Sequence, residues 1–272
     1  MIKLQNVYHR LPIPKYIRKI IRITRITFEK GKEVYKSINI IFKMKKISEN
    51  DFILKTQDVK FYLPKCGTDL IQREILYTGD YYERRGLDEF FDKYASIGVK
   101  GRAVLDIGAN IGSHALYFVN EQDALHVYCF EPIKKTYAVL KRNVEINGFQ
   151  KRITIFNVGV GEETGRGVVS REWDNNWGGT QIKSSNSGNI KIIAIDDMDI
   201  DDDIALVKID VETFENHVIK GMVNTLKKYH PLIKIEIVKE NFEEINEILT
   251  QLGYVGVMLT YQEYFYQWKK KI

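Results

Sequence analysis

Acidic residues stand at the ends of several apolar segments in this sequence. Asp106 ends "AVLD", Glu131 ends "HVYCFE", Asp210 and Glu212 follow "LVKI", and Glu236 follows "PLIKI". Apolar runs that alternate with helical patterns form parallel strands, and open sheets of such strands bind ligands at their carboxyl ends. We therefore expect these carboxylates to lie along one edge of a sheet and to form a polar, negatively charged site.

A glycine loop follows the first of these acids, in "DIGANIG". Gly108 and Gly112 allow a sharp turn and a close approach of the backbone to a ligand. The G-x-x-x-G spacing matches neither the phosphate-binding loop, which has a lysine after its last glycine, nor the dinucleotide fingerprint G-x-G-x-x-G, and so disfavours a dehydrogenase. Glu131, at the tip of the next strand, is placed to accept both hydroxyls of a ribose. An acidic site with a ribose-binding residue favours a cationic adenosine cofactor such as S-adenosylmethionine.

The hydrophobic periodicity predicts the elements that hold these residues. Strands are predicted near 102–107, 125–130, 152–158, 204–210 and 232–237, and helices near 111–120, 133–146, 213–229 and 240–252. This alternation predicts a mostly parallel sheet covered on both faces. The tail, "YVGVML" and "EYFYQW", predicts two more strands, of which the last is reversed. Residues 159–200 break the alternation and are predicted to form an inserted set of short β segments.

Composition indicates an ordinary globular protein. The chain has 272 residues, of which 44% are hydrophobic and 28% charged. Cys66 and Cys129 lie among apolar residues, so we expect free thiols in a reducing compartment. Since no apolar run is long enough to span a bilayer, we predict a cytoplasmic protein.

The basic charge is concentrated in the first fifty residues, which contain 13 Lys and Arg against three acids. Residues 14–28, "PKYIRKIIRITRITF", predict a basic amphipathic helix. Two interpretations stay open: peripheral contact with an anionic membrane, or packing of the isoleucines on the body. Nucleic acid is a weaker partner, because few aromatic residues are interleaved with the basic ones. We predict an N-terminal basic appendage over 1–99, with a β-hairpin at 51–63 and two helices, and a main domain over 100–272.

The predicted insertion contains "SREWDNNWGGTQ", residues 170–181. Trp173, Asn176 and Trp177 offer aromatic faces and an amide, which suit a sugar ring or a nucleobase. The alternative is a hairpin whose tryptophans only cover the sheet edge.

Five motifs, "VLDIGANIGSHALYF", "CFEP", "NVGVGEETG", "VKIDVETFE" and "PLIKIEI", resemble the FkbM family of class I S-adenosylmethionine-dependent methyltransferases, over residues 78–238. The resemblance implies an α/β, Rossmann-like sheet of seven strands with the last strand antiparallel. It also implies a set of cofactor-binding residues: Asp106, Gly108, Asn110 and Gly112 near the amino acid end, Glu131 at the ribose, and Asn157 and Gly159 near the adenine. One departure is Thr213, where the family has glycine after the second acid.

These observations together predict an O-methyltransferase. Asp210 is the first candidate for the base or substrate-orienting residue, with Glu212 and Glu236 behind it, and we predict that no metal is required. Because members of the family act on sugars, the predicted acceptor is a hydroxyl of a carbohydrate or glycoconjugate, such as a surface polysaccharide or glycolipid precursor. The alternatives are a nucleic-acid or secondary-metabolite methyltransferase, and a non-catalytic cofactor-binding scaffold.

Overall fold

A computed structural model describes residues 44–46, 52–94 and 98–269 of the chain. The chain divides into two compact units between Asp80 and Tyr81. The basic helix predicted over 14–28 lies outside the described residues, and its contact with an anionic surface stays a prediction.

The described residues of the first unit form a small antiparallel sheet and one helix. Its strands are β1 (Met44–Lys46), β2 (Phe52–Lys55) and β3 (Lys60–Tyr62), and its helix is α1 (Leu70–Thr78). The β2–β3 turn is fixed by Thr56, whose Oγ1 accepts a hydrogen bond from the Val59 N–H at 3.1 Å. Asp69 caps α1 by accepting from the Gln72 N–H at 3.0 Å. The hairpin predicted at 51–63 is confirmed.

The second unit begins with α2 (Arg84–Lys93) and is built on a large central sheet. The remaining strands are β4 (Ala103–Ile107), β5 (His126–Phe130), β6 (Ile153–Phe156), β7 (Gly159–Val160), β8 (Gly165–Arg171), β9 (Gln181–Ser184), β10 (Ile190–Ile193), β11 (Ile204–Ile209), β12 (Leu232–Glu236), β13 (Tyr254–Met258) and β14 (Glu263–Trp268). The remaining helices are α3 (Ser113–Asn120), α4 (Lys134–Asn147), α5 (Glu215–Lys220), α6 (Val223–Tyr229) and α7 (Phe242–Gln251).

The central sheet has the order β13-β14-β12-β11-β4-β5-β6. Strand β14 is antiparallel to both of its neighbours, whereas β12, β11, β4, β5 and β6 pair in parallel. Strands β4 and β11 are buried along their whole length because helices cover both faces. The predicted Rossmann-like sheet of seven strands with a reversed last strand is therefore confirmed.

The boundary between the units lies before the one predicted at 99/100. Helix α2 belongs to the second unit because its aromatic side chains pack on the antiparallel strand β14. The centres of the Phe90 and Phe265 rings are 5.5 Å apart, and the centres of the Tyr94 and Phe265 rings are 4.1 Å apart.

The predicted insertion forms a separate four-stranded sheet of order β7-β10-β8-β9. Strand β7 pairs in parallel with β10, and the other two pairs are antiparallel. The loop between β8 and β9 carries the tryptophan-rich segment that was predicted to contact a ligand. None of the helices in the described ranges is both long enough and apolar enough to cross a membrane.

The single helix predicted over 213–229 is wrong: the structure has two helices, α5 and α6, which separate at Gly221. A Cβ on Gly221 would lie 1.8 Å from the carbonyl oxygen of Gly161. The Gly221 carbonyl also accepts a hydrogen bond from the Asp196 N–H at 3.0 Å. The helix breaks because the inserted segment packs directly against its backbone.

We expect G221A to lower the free energy of unfolding by at least about 2 kcal/mol, since the added methyl group overlaps backbone that cannot move without disturbing the insertion. The control is G86A, at an exposed position in the first turn of α2, where nothing lies within 4 Å of an added Cβ. That change should stabilise the protein by up to about 1 kcal/mol through helix propensity. Urea denaturation measures both, and equal effects of the two substitutions would contradict this packing argument.

Candidate active site

A cleft at the carboxyl ends of the parallel strands is lined by three of the predicted acids, Glu131, Asp210 and Glu212. Gly108 and Asn110 of the glycine loop line it as well, and it is partly open to solvent. Of the other two predicted acids, Asp106 and Glu236, neither lines the cleft. Residues that end β5 and follow β11 thus share one edge of the sheet, as predicted from the sequence.

The glycine loop turns tightly at this edge. Gly108 has a φ of 79°, and a Cβ on it would lie 1.8 Å from the Asp210 carbonyl oxygen. The N–H groups of Gly108 and Ala109 both donate to the Phe130 carbonyl at 3.0 Å. Gly112, with a φ of 84°, precedes the first residue of α3. The glycines are required here because the loop crosses the ends of β5 and β11 at backbone contact.

Glu131 is almost completely buried and is already oriented by the backbone. Its two carboxylate oxygens accept hydrogen bonds from the N–H groups of Asn110 at 3.0 Å and Ile133 at 2.8 Å. Burial raises the pKa of Glu131 to about 7, although both hydrogen bonds act in the opposite direction. Each oxygen keeps a second lone pair, so this carboxylate can accept two further donors, such as a pair of vicinal hydroxyls.

A buried lysine that sequence reasoning missed holds the centre of the site. The Nζ of Lys208 lies 2.9 Å from the Gly108 carbonyl oxygen, 3.4 Å from an Asp106 oxygen and 3.3 Å from an Asp210 oxygen. Burial disfavours its charge, but the two carboxylates outweigh that effect and raise the pKa of Lys208. Asp106 is fully buried beneath the cleft. The available signal was a lysine inside the apolar run "LVKI", two residues before Asp210.

Carboxylates form an acidic rim beside this lysine, made of Asp210, Glu212, Glu215 and Glu236. Burial, followed by the charges of Asp210, Glu236 and Glu215, raises the pKa of Glu212 to about 7. Burial and Asp210 also raise the pKa of Glu236. Charges that repel one another in this way are typical of binding and catalytic sites.

The backbone after Asp210 is strained. Glu212 has a φ of 52° and Thr213 a φ of 84°, a conformation that costs a non-glycine residue about 1–3 kcal/mol. Two side chains hold it: Glu215 accepts from the Thr213 N–H at 2.6 Å, and Asn241 donates to the Thr213 carbonyl at 3.1 Å. Thr213 therefore adopts a left-handed conformation that favours glycine.

The insertion contributes one wall of the cleft. Trp177 and Thr180 line it, and the Lys135 ammonium lies 4.5 Å from the centre of the Trp177 ring. Thr180 is only 9% exposed, and its Oγ1 has no hydrogen-bond partner in the part of the chain that the structure describes.

The other predicted residues lie outside the lining of the cleft. Trp173 is 41% exposed and stacks with Arg171, whose guanidinium is 4.2 Å from the ring centre. Asn176 accepts a hydrogen bond from the Gly179 N–H at 3.3 Å and so shapes the loop.

Of the two residues predicted near an adenine, Gly159 lines the cleft, whereas Asn157 supports it from behind. The Asn157 Nδ2 donates to the carbonyl oxygens of Glu131 and Pro132 at 2.8 and 3.1 Å. Within the described ranges, no three His, Cys, Asp or Glu residues are placed to hold a metal ion together.

Comparison with known proteins assigns a family. Residues 106–255 match the family model described as the methyltransferase FkbM domain. A methyltransferase FkbM from Methylobacillus flagellatus KT is 24% identical with a TM-score of 0.46, over 62% of this chain and 44% of that one, so the chain spans less than half of its length. No curated protein matches the chain.

Two further solved structures share the fold at lower identity. M. jannaschii TYW2, in complex with AdoMet, is 12% identical with a TM-score of 0.43, over 82% of this chain and 85% of that one. A putative rRNA methylase from Clostridium thermocellum is 13% identical with a TM-score of 0.46, over 68% and 97%.

We expect K208M to lower the free energy of unfolding by about 3–5 kcal/mol, because it leaves the Asp106 carboxylate buried without a counter-charge. The double variant K208M/D106L should recover much of this loss, since no charge is then buried unpaired. K191M, on the exposed face of β10, is the matched control. A cost of less than about 1 kcal/mol for K208M in denaturant unfolding would show that the ion cluster does not stabilise the fold.

The acidic rim also predicts a pH dependence of stability. Because the pKa of Glu212 is raised from 4.5 to about 7 on folding, the folded state binds more protons than the unfolded state between these values. The free energy of unfolding therefore falls as pH rises through this window. E212Q should remove part of this slope. The melting temperature of E212Q minus that of the wild type should therefore increase between about pH 5 and about pH 7.5, whereas for the exposed control E163Q this difference should stay constant. If the melting temperatures of E212Q and wild type depend on pH in the same way, Glu212 is not the source of this pH dependence.

Proposed function

Because the chain belongs to the FkbM family of S-adenosylmethionine-dependent methyltransferases, we propose that it methylates a hydroxyl of a carbohydrate or glycoconjugate. The observation that carries the proposal is one cleft that contains the buried carboxylate of Glu131, the acidic rim at Asp210 and the aromatic wall at Trp177. This combination suits an adenosine-bearing cation and a hydroxyl-rich acceptor.

The residues in the cleft fit the cofactor. Glu131 has a further lone pair on each oxygen for the ribose hydroxyls, and the face of Trp177 suits a purine. The acidic rim stabilises a positive charge. When bound, S-adenosylmethionine supplies an electrophilic methyl group on a positively charged sulfur.

Asp210 is the residue that orients the acceptor. Its carboxylate lies at the cleft and is held by the Lys208 ammonium at 3.3 Å. Its oxygens can accept a hydrogen bond from an incoming hydroxyl. Holding two reactants in line lowers the activation free energy of such a displacement by roughly 7–11 kcal/mol. Glu212, which lines the cleft, and Glu236 interact electrostatically with Asp210 and add negative potential that stabilises the bound cation.

The charge of the rim supports a neutral carbohydrate over a nucleic acid. Asp210 interacts electrostatically with the carboxylates of Glu212, Glu215 and Glu236, and this negative charge repels phosphate groups. Sugar rings, in contrast, present hydroxyl donors to carboxylates and apolar faces to aromatic side chains such as Trp177.

We expect D210N to bind S-adenosylhomocysteine within about threefold of the wild type, because the ribose and purine contacts are unchanged. Methyl transfer should fall at least about 100-fold, since the orienting carboxylate is lost. D201N, an exposed aspartate, should behave as wild type. Calorimetry measures binding, and incorporation of labelled methyl groups into extracted glycans measures transfer.

Each competing assignment predicts a different outcome of this experiment. Unchanged transfer by D210N would remove Asp210 from the mechanism. A wild-type protein that binds the cofactor product but labels no glycan would overturn the carbohydrate acceptor. Labelling of RNA in a parallel reaction would then favour a nucleic-acid acceptor, and no labelling of either would favour a scaffold.

A further inference from the structure

A lysine in the first turn of α4 contacts the loop between β8 and β9 at two points. The ammonium of Lys135 forms an ion pair with Glu172, and it lies 4.5 Å from the centre of the Trp177 ring. Both partners belong to the same loop, and Trp177 is the loop tryptophan that lines the cleft. One side chain of α4 therefore holds the beginning of this loop and its aromatic ring together.

The position of Lys135 is unfavourable for the helix that carries it. Helix α4 begins with Lys134 and Lys135, and its first turn contains no acidic residue. The N-terminus of a helix carries a partial positive charge, so acidic side chains stabilise this end and basic ones destabilise it. Departures of this kind from local preference are expected at functional sites. The contacts of its ammonium thus explain Lys135 better than the stability of α4 does.

The start of α4 is fixed to the carboxylate that the proposed function assigns to the ribose. Glu131 accepts a hydrogen bond from the N–H of Ile133, the residue just before α4, at 2.8 Å. Glu131, Pro132 and Ile133 line one side of the cleft, and Trp177 lines it from the insertion. Lys135 does not line the cleft itself. It therefore joins these two walls without occupying the space for a ligand.

The backbone around Trp177 forms a compact turn. The Asn176 side chain accepts a hydrogen bond from the Gly179 N–H at 3.3 Å, and the Trp177 carbonyl accepts one from the Thr180 N–H, also at 3.3 Å. These bonds fix the turn internally but do not connect it to the other side of the cleft. Lys135 supplies such a connection, because it belongs to α4 and acts on the Trp177 ring.

We propose that Lys135 is a positioning residue for the cofactor, which holds the Trp177 ring at a fixed distance from the Glu131 carboxylate so that the cleft accepts the purine and the ribose of adenosine together. This rests on the proposed placement of the purine against Trp177. A ring that is held before binding does not have to be ordered by the ligand, and affinity is higher for that reason. The attraction of the ammonium to the ring face and its ion pair with Glu172 both contribute to the hold.

Fluorescence and calorimetry test this without a known acceptor. The parent protein is W173F/W268F, which retains Trp177 as the only tryptophan in the chain. In this parent we expect K135M to increase the quenching of Trp177 by acrylamide about twofold when no ligand is bound, because the ring is no longer held. K135M should also weaken S-adenosylhomocysteine binding about three- to tenfold, since the ligand must then order one more side chain. Its melting temperature should not fall, because a cation is removed from the N-terminus of α4.

Two variants of neighbouring residues and one conservative variant complete the set. K134M is the matched control, since Lys134 is exposed and lies in the same turn of α4, and it should behave as the parent. K135R should keep the quenching and the affinity within about twofold of the parent, because a guanidinium also stacks on aromatic rings and pairs with carboxylates. E172Q removes only the ion pair and should give an intermediate loss.

The readouts distinguish failure of this proposal from failure of the proposed function. If S-adenosylhomocysteine binds the parent without changing the emission of Trp177, the purine lies elsewhere, and both the placement of the cofactor and the role of Lys135 fail. If the emission changes but K135M behaves as K134M, the placement stands and the role of Lys135 fails. A loss of affinity that K135R shares, or that a lower melting temperature accompanies, would make Lys135 a structural contact only. The carbohydrate acceptor takes no part in these measurements.

Discussion

The buried ammonium of Lys208 is the interaction on which the rest of the site depends. It joins the Gly108 carbonyl, the Asp106 carboxylate and the Asp210 carboxylate at the ends of the adjacent strands β4 and β11. A buried charge costs several kcal/mol unless it is fully paired, so none of these partners can move alone. The turn of the glycine loop and the position of Asp210 are therefore set together. Backbone contact between Gly108 and Asp210 reinforces this coupling.

Much of the fold follows from local patterns, and its exceptions follow from contacts across the chain. Strands β4 and β11 are continuous apolar runs because both of their faces are covered. The break between α5 and α6 was not predictable, because it depends on the approach of Gly161, which is distant in sequence. The boundary between the units lies before the predicted one because Phe265, which is distant from α2 in sequence, packs on that helix. Periodicity carries no information about such partners.

The candidate site divides in the same way. Glu131 and Asp210 were predictable because a strand end places its acid at the ligand edge of the sheet. The role of Lys208 arises from its burial and from its partners, which only the folded chain supplies. The two tryptophans of the insertion have equal chemistry in the sequence, yet only Trp177 lines the cleft. The conformation of the loop, which the hydrogen bond to Asn176 stabilises, determines which of the two tryptophans reaches the cleft.

The acidic rim connects the charge of the cofactor to the choice of acceptor. Its carboxylates raise one another's proton affinity, and the strained backbone at Glu212 and Thr213 holds them together against that repulsion. A bound sulfonium relieves the repulsion, whereas a phosphate or a carboxylate increases it. In the reaction that we propose, the arrangement that attracts the methyl donor also selects an acceptor without negative charge near its reacting hydroxyl. Lys208 does not cancel this effect, because its charge is already shared between Asp106 and Asp210.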